Sequence, residues 1–257
     1  MSVKYRVGID VGHSEDTWEN TNGKGVRKAD GQVFEEFHFN LKVSRKVKEL
    51  TDADGRFIVF TAQPLNNVSK LVSLKNRVKY YNDNGCKIVF SNHANAHSNK
   101  NVKGHLVFYW HSSKNGLRLA KIWDNHADEL LSQTSDKNIM ACVPNTWTHF
   151  YIVHYTHGVC ILPEHAFFTN DDDLKLLEDD DFITRCAYTE YYSLCDYYGL
   201  KYRSTYLKND FKLEGLKYLT DNNFVNNYND LSGKVEDSIK VWEFFNLIKD
   251  IHEDLNK

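Results

Sequence analysis

At 257 residues, 41% hydrophobic and 26% charged, the chain is long enough for one α/β domain with a sizeable core plus a small appendage. Its formal net charge of -3 excludes a protein that depends on a basic field to hold nucleic acid or anionic lipid. Five cysteines, an odd number with no CxxC, exclude a disulfide framework or a zinc ribbon and fit a reducing cytosol.

In chain order, residues 5–11 (YRVGIDV) read as a first strand, and the segment through Gly12, Gly23, Gly25 and Gly31 reads as a long loop. A helix is predicted over 34–50 and a strand over 56–60 (RFIVF). The next helix is predicted over 68–81, where Val68, Leu71, Val78 and Tyr81 fall near helical spacing and Gly85 stands just beyond the end. KIVF, 87–90, is a short buried strand, followed at once by a polar cluster around His93. Further strands are predicted over 105–110, 149–154 and 159–162, with a helix over 113–130. Strands alternating with helices of about ten or more residues point to βαβ units, hence an α/β fold with a largely parallel sheet flanked by helices.

The acidic run DDDLKLLEDDD, 171–181, lacks EF-hand spacing and its central glycine. Acids in the first turns of helices, opposing the helix dipole, account for it. A helix over 182–198 follows, and from Leu213 onward two more helical segments are predicted, the second over 235–255. Residues 1–200 are thus expected to form the main domain and 201–257 a C-terminal helical segment. That segment is too short to hold a core alone, so it must dock on the domain, pair with a second copy as a homodimer, or engage the substrate polymer. No run approaches the roughly 18 apolar residues of a membrane span, and the N-terminus has no signal-peptide pattern; cytoplasmic synthesis without membrane insertion is expected.

Three segments end a strand on a chemically able side chain: VGIDVGH on His13, KIVFSNH on His93 and VCILPE on Glu164. In open α/β sheets reactive groups collect at the carboxyl ends of the strands. Two histidines and one carboxylate make a common catalytic zinc set with a fourth position left for water. The carboxylate is expected from Glu35 or Glu36. Glu36 shares a helical stripe with Phe39, Val43, Val47 and Leu50, whereas Glu35 shares one with His38, Lys42, Lys46 and Glu49, so the stripe favours Glu36. A charge favouring the helix dipole would suit either residue. Glu164 then serves as base and acid, accepting a proton from the attacking water and passing it to a leaving amine. A rival site of His154, His157 and Cys160 needs three side chains to converge from two strands and a loop, which alternation does not favour.

VGIDVGH, EFHFNL with Glu36 and Asn40, SLKNRVKYYN with Arg77, SNHANA and LPEHAFFTN together, in this order, resemble the zinc-dependent N-acetylmuramoyl-L-alanine amidases of the amidase-3 family. The resemblance spans about residues 3–198. It implies a twisted six-stranded sheet and hydrolysis of the amide between N-acetylmuramic acid and L-alanine in peptidoglycan. By the same resemblance His13, Glu36 and His93 correspond to the Zn2+ ligands and Glu164 to the catalytic glutamate. Trp18, Tyr155 and Phe167 are expected near the site, where they could stack on sugars, with Phe168 in the core. Two departures concern substrate fit: Ser14 follows His13 where the family usually carries glycines, and TAQP, 61–64, lacks an arginine common after the second strand. The C-terminal part resembles small helical segments of phage lysins, which implies an endolysin made in the host cytoplasm that acts on the wall after release; a sporulation or autolytic amidase of the mother-cell compartment fits the sequence as well. A zinc peptidase of the peptidoglycan stem, or a wall-binding protein on the same fold, would use the same framework.

Overall fold

The structure, a computed structural model, describes residues 4–66, 72–131 and 138–204. The helices expected beyond residue 213, with the docking or dimerising role given to them, lie outside the described residues, as do Val68 and Leu71 of the predicted third helix.

Eight strands and seven helices follow one another among the described residues. The strands are β1 (Tyr5–Val11), β2 (Gly25–Arg27), β3 (Val33–Glu35), β4 (Phe57–Phe60), β5 (Ile88–Asn95), β6 (Leu106–Trp110), β7 (Ile139–Cys142) and β8 (Val159–Phe167). The helices are α1 (Thr17–Thr21), α2 (Glu36–Asp54), α3 (Leu74–Asp83), α4 (Lys114–Leu131), α5 (Tyr151–Tyr155), α6 (Asp171–Leu177) and α7 (Asp180–Tyr198). Six strands form one sheet in the order β4-β1-β5-β8-β6-β7, and β2 with β3 makes a separate antiparallel hairpin. β4, β1, β5 and β8 are parallel; β6 runs antiparallel to β8 and β7 follows β6. The sheet is thus α/β and mostly parallel, as the alternation of elements predicts.

Side-chain alternation assigns the faces. Val89, Cys160 and Leu162 join Val78 and Tyr81 of α3 and Ile152 and Val153 of α5 in one cluster. On the other face α2 and α4 both pack against α7, and Trp123 of α4 is completely buried. α2 shows the predicted stripe, with Glu36, Phe39, Val43 and Val47 buried and Lys42 exposed. The acidic run behaves as helix-start acids: Asn170 caps α6, accepting from the Asp172 and Asp173 amides, and Asp179 caps α7. All five cysteines are free and buried. Burial raises every one of their pKa values, Cys86 and Cys195 to about 11 and Cys142 to about 12, with Cys160 and Cys186 well above the ordinary thiol range.

Several boundaries differ from expectation. Residues 149–154 were expected as strand, but the helix α5 occupies Tyr151–Tyr155, with consecutive Ile152 and Val153 both buried where a strand would alternate. A short apolar run does not choose between helix and strand by period. The strand that does line this edge is β7, whose four residues IMAC are too few to announce themselves. Residues 34 and 35 close the β2–β3 hairpin rather than opening the helix. β5 continues through His93 to Asn95, because its partner β8 is also long and gives those backbone groups a ladder.

Gly158, at the start of β8, shows how closely these central strands approach. A Cβ there would stand 2.3 Å from the Cys86 carbonyl oxygen and 3.0 Å from Lys87 backbone atoms, so no side chain fits. Gly158→Ala is therefore expected to lower stability by about 1–3 kcal/mol, read as a reduced urea midpoint with an unchanged m-value.

Candidate active site

β1 ends at Val11, and the two residues after it carry the first demands of the site. A Cβ on Gly12 would meet the Asn92 carbonyl oxygen at 2.4 Å, His93 Cε1 at 2.5 Å and Asn40 Nδ2 at 2.7 Å, so this position admits only glycine. His13 then takes a left-handed backbone conformation, φ 67°, which turns its ring back over the sheet edge. Gln63 donates from Nε2 to the His13 carbonyl at 2.8 Å and holds that turn. Gln63 comes from TAQP, the segment in which the expected arginine is missing. Ser14 is fully buried, its hydroxyl bonded to Asp16 and its amide to Thr17 Oγ1, which closes the turn into α1.

Glu36 opens α2, where the positive helix end favours its charge. Its carboxylate stands between both imidazoles, with Oε1 2.8 Å from His93 Nδ1 and Oε2 3.2 Å from His13 Nε2. The Ala94 amide donates to Oε1 at 3.2 Å, and Asn40 Nδ2 reaches Oε1 at 3.4 Å and the Gly12 carbonyl at 3.1 Å. The two rings cross edge to face, centroids 4.9 Å apart. Burial works to raise the Glu36 pKa, but the His13 and His93 rings outweigh it and hold the carboxyl well below its usual range. Burial lowers the His93 pKa, against the pull of Glu36. Glu36, not Glu35, is the carboxylate in this cluster; Glu35 belongs to β3.

Glu164 lies opposite His93 in the parallel ladder, so their side chains emerge on the same face of neighbouring strands. It is buried, and its Oε2 has no hydrogen-bond partner. Burial first, then the nearby Glu36 charge, raises its pKa well above the carboxylate range; Lys24, from the turn into β2, opposes this. Lys24 has no counterpart in the sequence reading, because only the hairpin brings it close.

The structure thus gathers His13, Glu36 and His93, with one ligand atom from each within 4.8 Å of the others, and sets Glu164 beside His93. It does not gather the rival trio. His154 stacks on Trp110 at 3.8 Å and meets His149 at 2.7 Å, His157 bonds Asn82 through its amide, and Cys160 is in the core. Tyr155 is exposed but belongs to α5, just before β8 begins and so at the sheet edge opposite the site; Phe167 and Phe168 are both buried. Neither Tyr155 nor Phe167 can stack on a substrate here. Trp18, half-buried on α1, packs against Gly25 of the hairpin.

Beneath the site two buried groups brace the strands. Arg77 of α3 donates to Asp10 Oδ2 at 2.8 Å and to the Val11 carbonyl at 3.2 Å, while Ser91 and Tyr81 also bond Asp10. On the opposite face His165 Nε2 approaches Asn92 Oδ1 at 3.1 Å and Glu190 Oε1 at 3.7 Å. Burial drives the His165 pKa down to about 3, which leaves the ring neutral at neutral pH, and raises that of Glu190 well above its usual range.

A family model described as Amidase_3, N-acetylmuramoyl-L-alanine amidase, matches residues 7–195. The chain belongs to the Amidase_3 family. Its fold agrees with solved members. The CwlD amidase from Clostridioides difficile, solved with the GerS lipoprotein, gives a TM-score of 0.65 at 20% identity, covering 76% of this chain and 99% of that one. The catalytic domain of CwlV from Bacillus (Paenibacillus) polymyxa gives 0.64 at 21%, covering 77% and 99%. The catalytic domain of the CD27L endolysin, which targets Clostridioides difficile, gives 0.53 at 17%, covering 75% and 97%. Comparison with curated proteins returns no match. Membership in Amidase_3 supports an amidase acting on an amide bond of peptidoglycan. No helix among the described residues is long and apolar enough to cross a membrane.

The Arg77–Asp10 pair is open to a direct test. Arg77→Met strands a buried carboxylate beneath His13 and is expected to cost about 3–5 kcal/mol in chemical unfolding, with Asp10→Asn in the same chain recovering much of the loss.

Proposed function

We propose that the chain is a zinc-dependent N-acetylmuramoyl-L-alanine amidase that cuts the amide between N-acetylmuramic acid and L-alanine in peptidoglycan. The observation that carries this reading is the His13–Glu36–His93 cluster beside a buried, partnerless Glu164 oxygen in an Amidase_3 chain. The donor set suits the metal: two imidazole nitrogens and one carboxylate leave a fourth position open. The buried His13 Nε2 fits a ligand too, since it lies close to Glu36 without forming a hydrogen bond.

His13, Glu36 and His93 would hold Zn2+. When bound, zinc supplies Lewis acidity, making a water at the site more acidic and the substrate carbonyl more electrophilic. Glu164 takes the proton of the attacking water on Oε2 and returns it to the amide nitrogen of L-alanine as the C–N bond breaks. Low solvation keeps Glu164 a strong proton acceptor once ionised, and its raised pKa lets it hold the proton between the two transfers. Asn40, Gln63 and the Ala94 amide keep the ligands oriented and do not touch the reacting atoms.

As its setting we infer a phage endolysin made in the host cytoplasm and acting on the wall after release. Five buried free thiols fit synthesis in a reducing compartment, and the endolysin domain named above has the same fold.

Chelation is expected to abolish clearing of purified cell walls, with activity restored by added zinc. Mass spectrometry of the digest should show new L-alanine amino termini with intact glycan; cleavage inside the stem peptide would replace this reading with a peptidase. Glu164→Gln is expected to keep zinc and lose about 10²- to 10⁴-fold in turnover. His13→Ala and His93→Ala are expected to lose the zinc itself, measured by elemental analysis.

A further inference from the structure

Four polar side chains meet at a second point, on the reversed half of the sheet. His105, fully buried, immediately precedes β6; Asn138, also buried, immediately precedes β7; Asp124 and Asp128 stand one turn apart on the same side of α4. His105 Nε2 is 3.2 Å from Asp124 Oδ1, 3.5 Å from Asp128 Oδ1 and 3.0 Å from Asn138 Nδ2. Asn138 Nδ2 is 3.4 Å from Asp128 Oδ1.

With both aspartates ionised, neither protonation state of His105 Nε2 satisfies this arrangement. With a proton on Nε2, that N–H faces the N–H groups of Asn138; without one, Nε2 accepts from Asn138 Nδ2 but still stands lone pair to lone pair against two carboxylate oxygens. A half-turn of the Asn138 amide leaves a single N–H in front of three oxygens, two of them lone pair to lone pair. A divalent cation at the centre removes the conflict, because an imidazole nitrogen, two carboxylate oxygens and an amide oxygen all present lone pairs to it. The separations agree with this: ligand atoms about 2.0–2.1 Å from a tetrahedral ion stand about 3.3 Å from one another.

We propose that His105, Asp124, Asp128 and Asn138 form a second metal site, distinct from the His13–Glu36–His93 cluster, for a first-row divalent cation such as zinc or manganese. It ties α4 to the starts of β6 and β7. Its position gives it a role in holding the reaction site, since Leu106, the residue after His105, is the register partner of Glu164. The cation there is structural and lies outside the chemistry.

The test is the number of ions bound by the full-length chain in equilibrium dialysis, first against zinc and then against manganese. Wild type is expected to take up about two zinc ions, and both the Asp124→Asn/Asp128→Asn protein and His93→Ala about one each. Added zinc should still raise the melting temperature of His93→Ala, and should stop doing so when Asp124→Asn and Asp128→Asn are added. Asn138→Asp, which places a third carboxylate in the cluster, is expected to tighten the second equivalent on the order of tenfold, whereas a cluster held by protons would only be weakened by it. Equal uptake of both metals by wild type and the Asp124→Asn/Asp128→Asn protein would overturn the proposal. Loss of an ion in His93→Ala bears only on the amidase site, so the two readings fail separately.

Discussion

One carboxylate, Glu36, joins three separate parts of the chain. It begins α2, its two oxygens face His13 after β1 and His93 in β5, and the Ala94 amide closes on it from the strand. Taking such a group out of water is costly unless partners replace the lost hydration, and here they come from elements far apart in sequence. The rest of the site follows from that requirement. Gly12 must lack a side chain for His93 and Asn40 to approach, His13 must adopt its left-handed turn, and Gln63 and Asn40 fix the loop that results.

The layers beneath treat charge differently. Toward α3, Asp10 and Arg77 form an ion pair in the interior with Ser91 and Tyr81 around it. Toward α7, burial works against charge on both His165 and Glu190, lowering the pKa of the one and raising that of the other. Glu164 is buried like Glu190 but stands beside the Glu36 carboxylate, so burial and a neighbouring charge both raise its pKa.

Much of this was legible in the residues. Alternating elements pointed to the sheet, and the helical stripe separated Glu36 from Glu35; His13 follows its strand as expected, whereas His93 and Glu164 lie inside strands that run two and three residues further. The stripe worked because α2 is long enough for its period to show. Signals failed where elements were short: IMAC gave no strand pattern, and HFYIVH gave a strand pattern for what is one helical turn. Tyr155 and Phe167 were misplaced for a related reason. Tyr155 precedes β8, whose nine residues carry the chain from the opposite edge of the sheet to the site, while Phe167 reaches the site's edge with its side chain buried in the core. Gln63 and Lys24 carried no local signal at all, since only tertiary contacts bring them to the site.

The five cysteines carry a consequence for where the molecule can work. Disulfide exchange proceeds through the thiolate, and burial leaves almost none of it at neutral pH while also denying access to an oxidant. A protein so built keeps the same covalent structure on both sides of a redox boundary. It needs neither a foldase to pair its sulfurs nor a reductant to protect them.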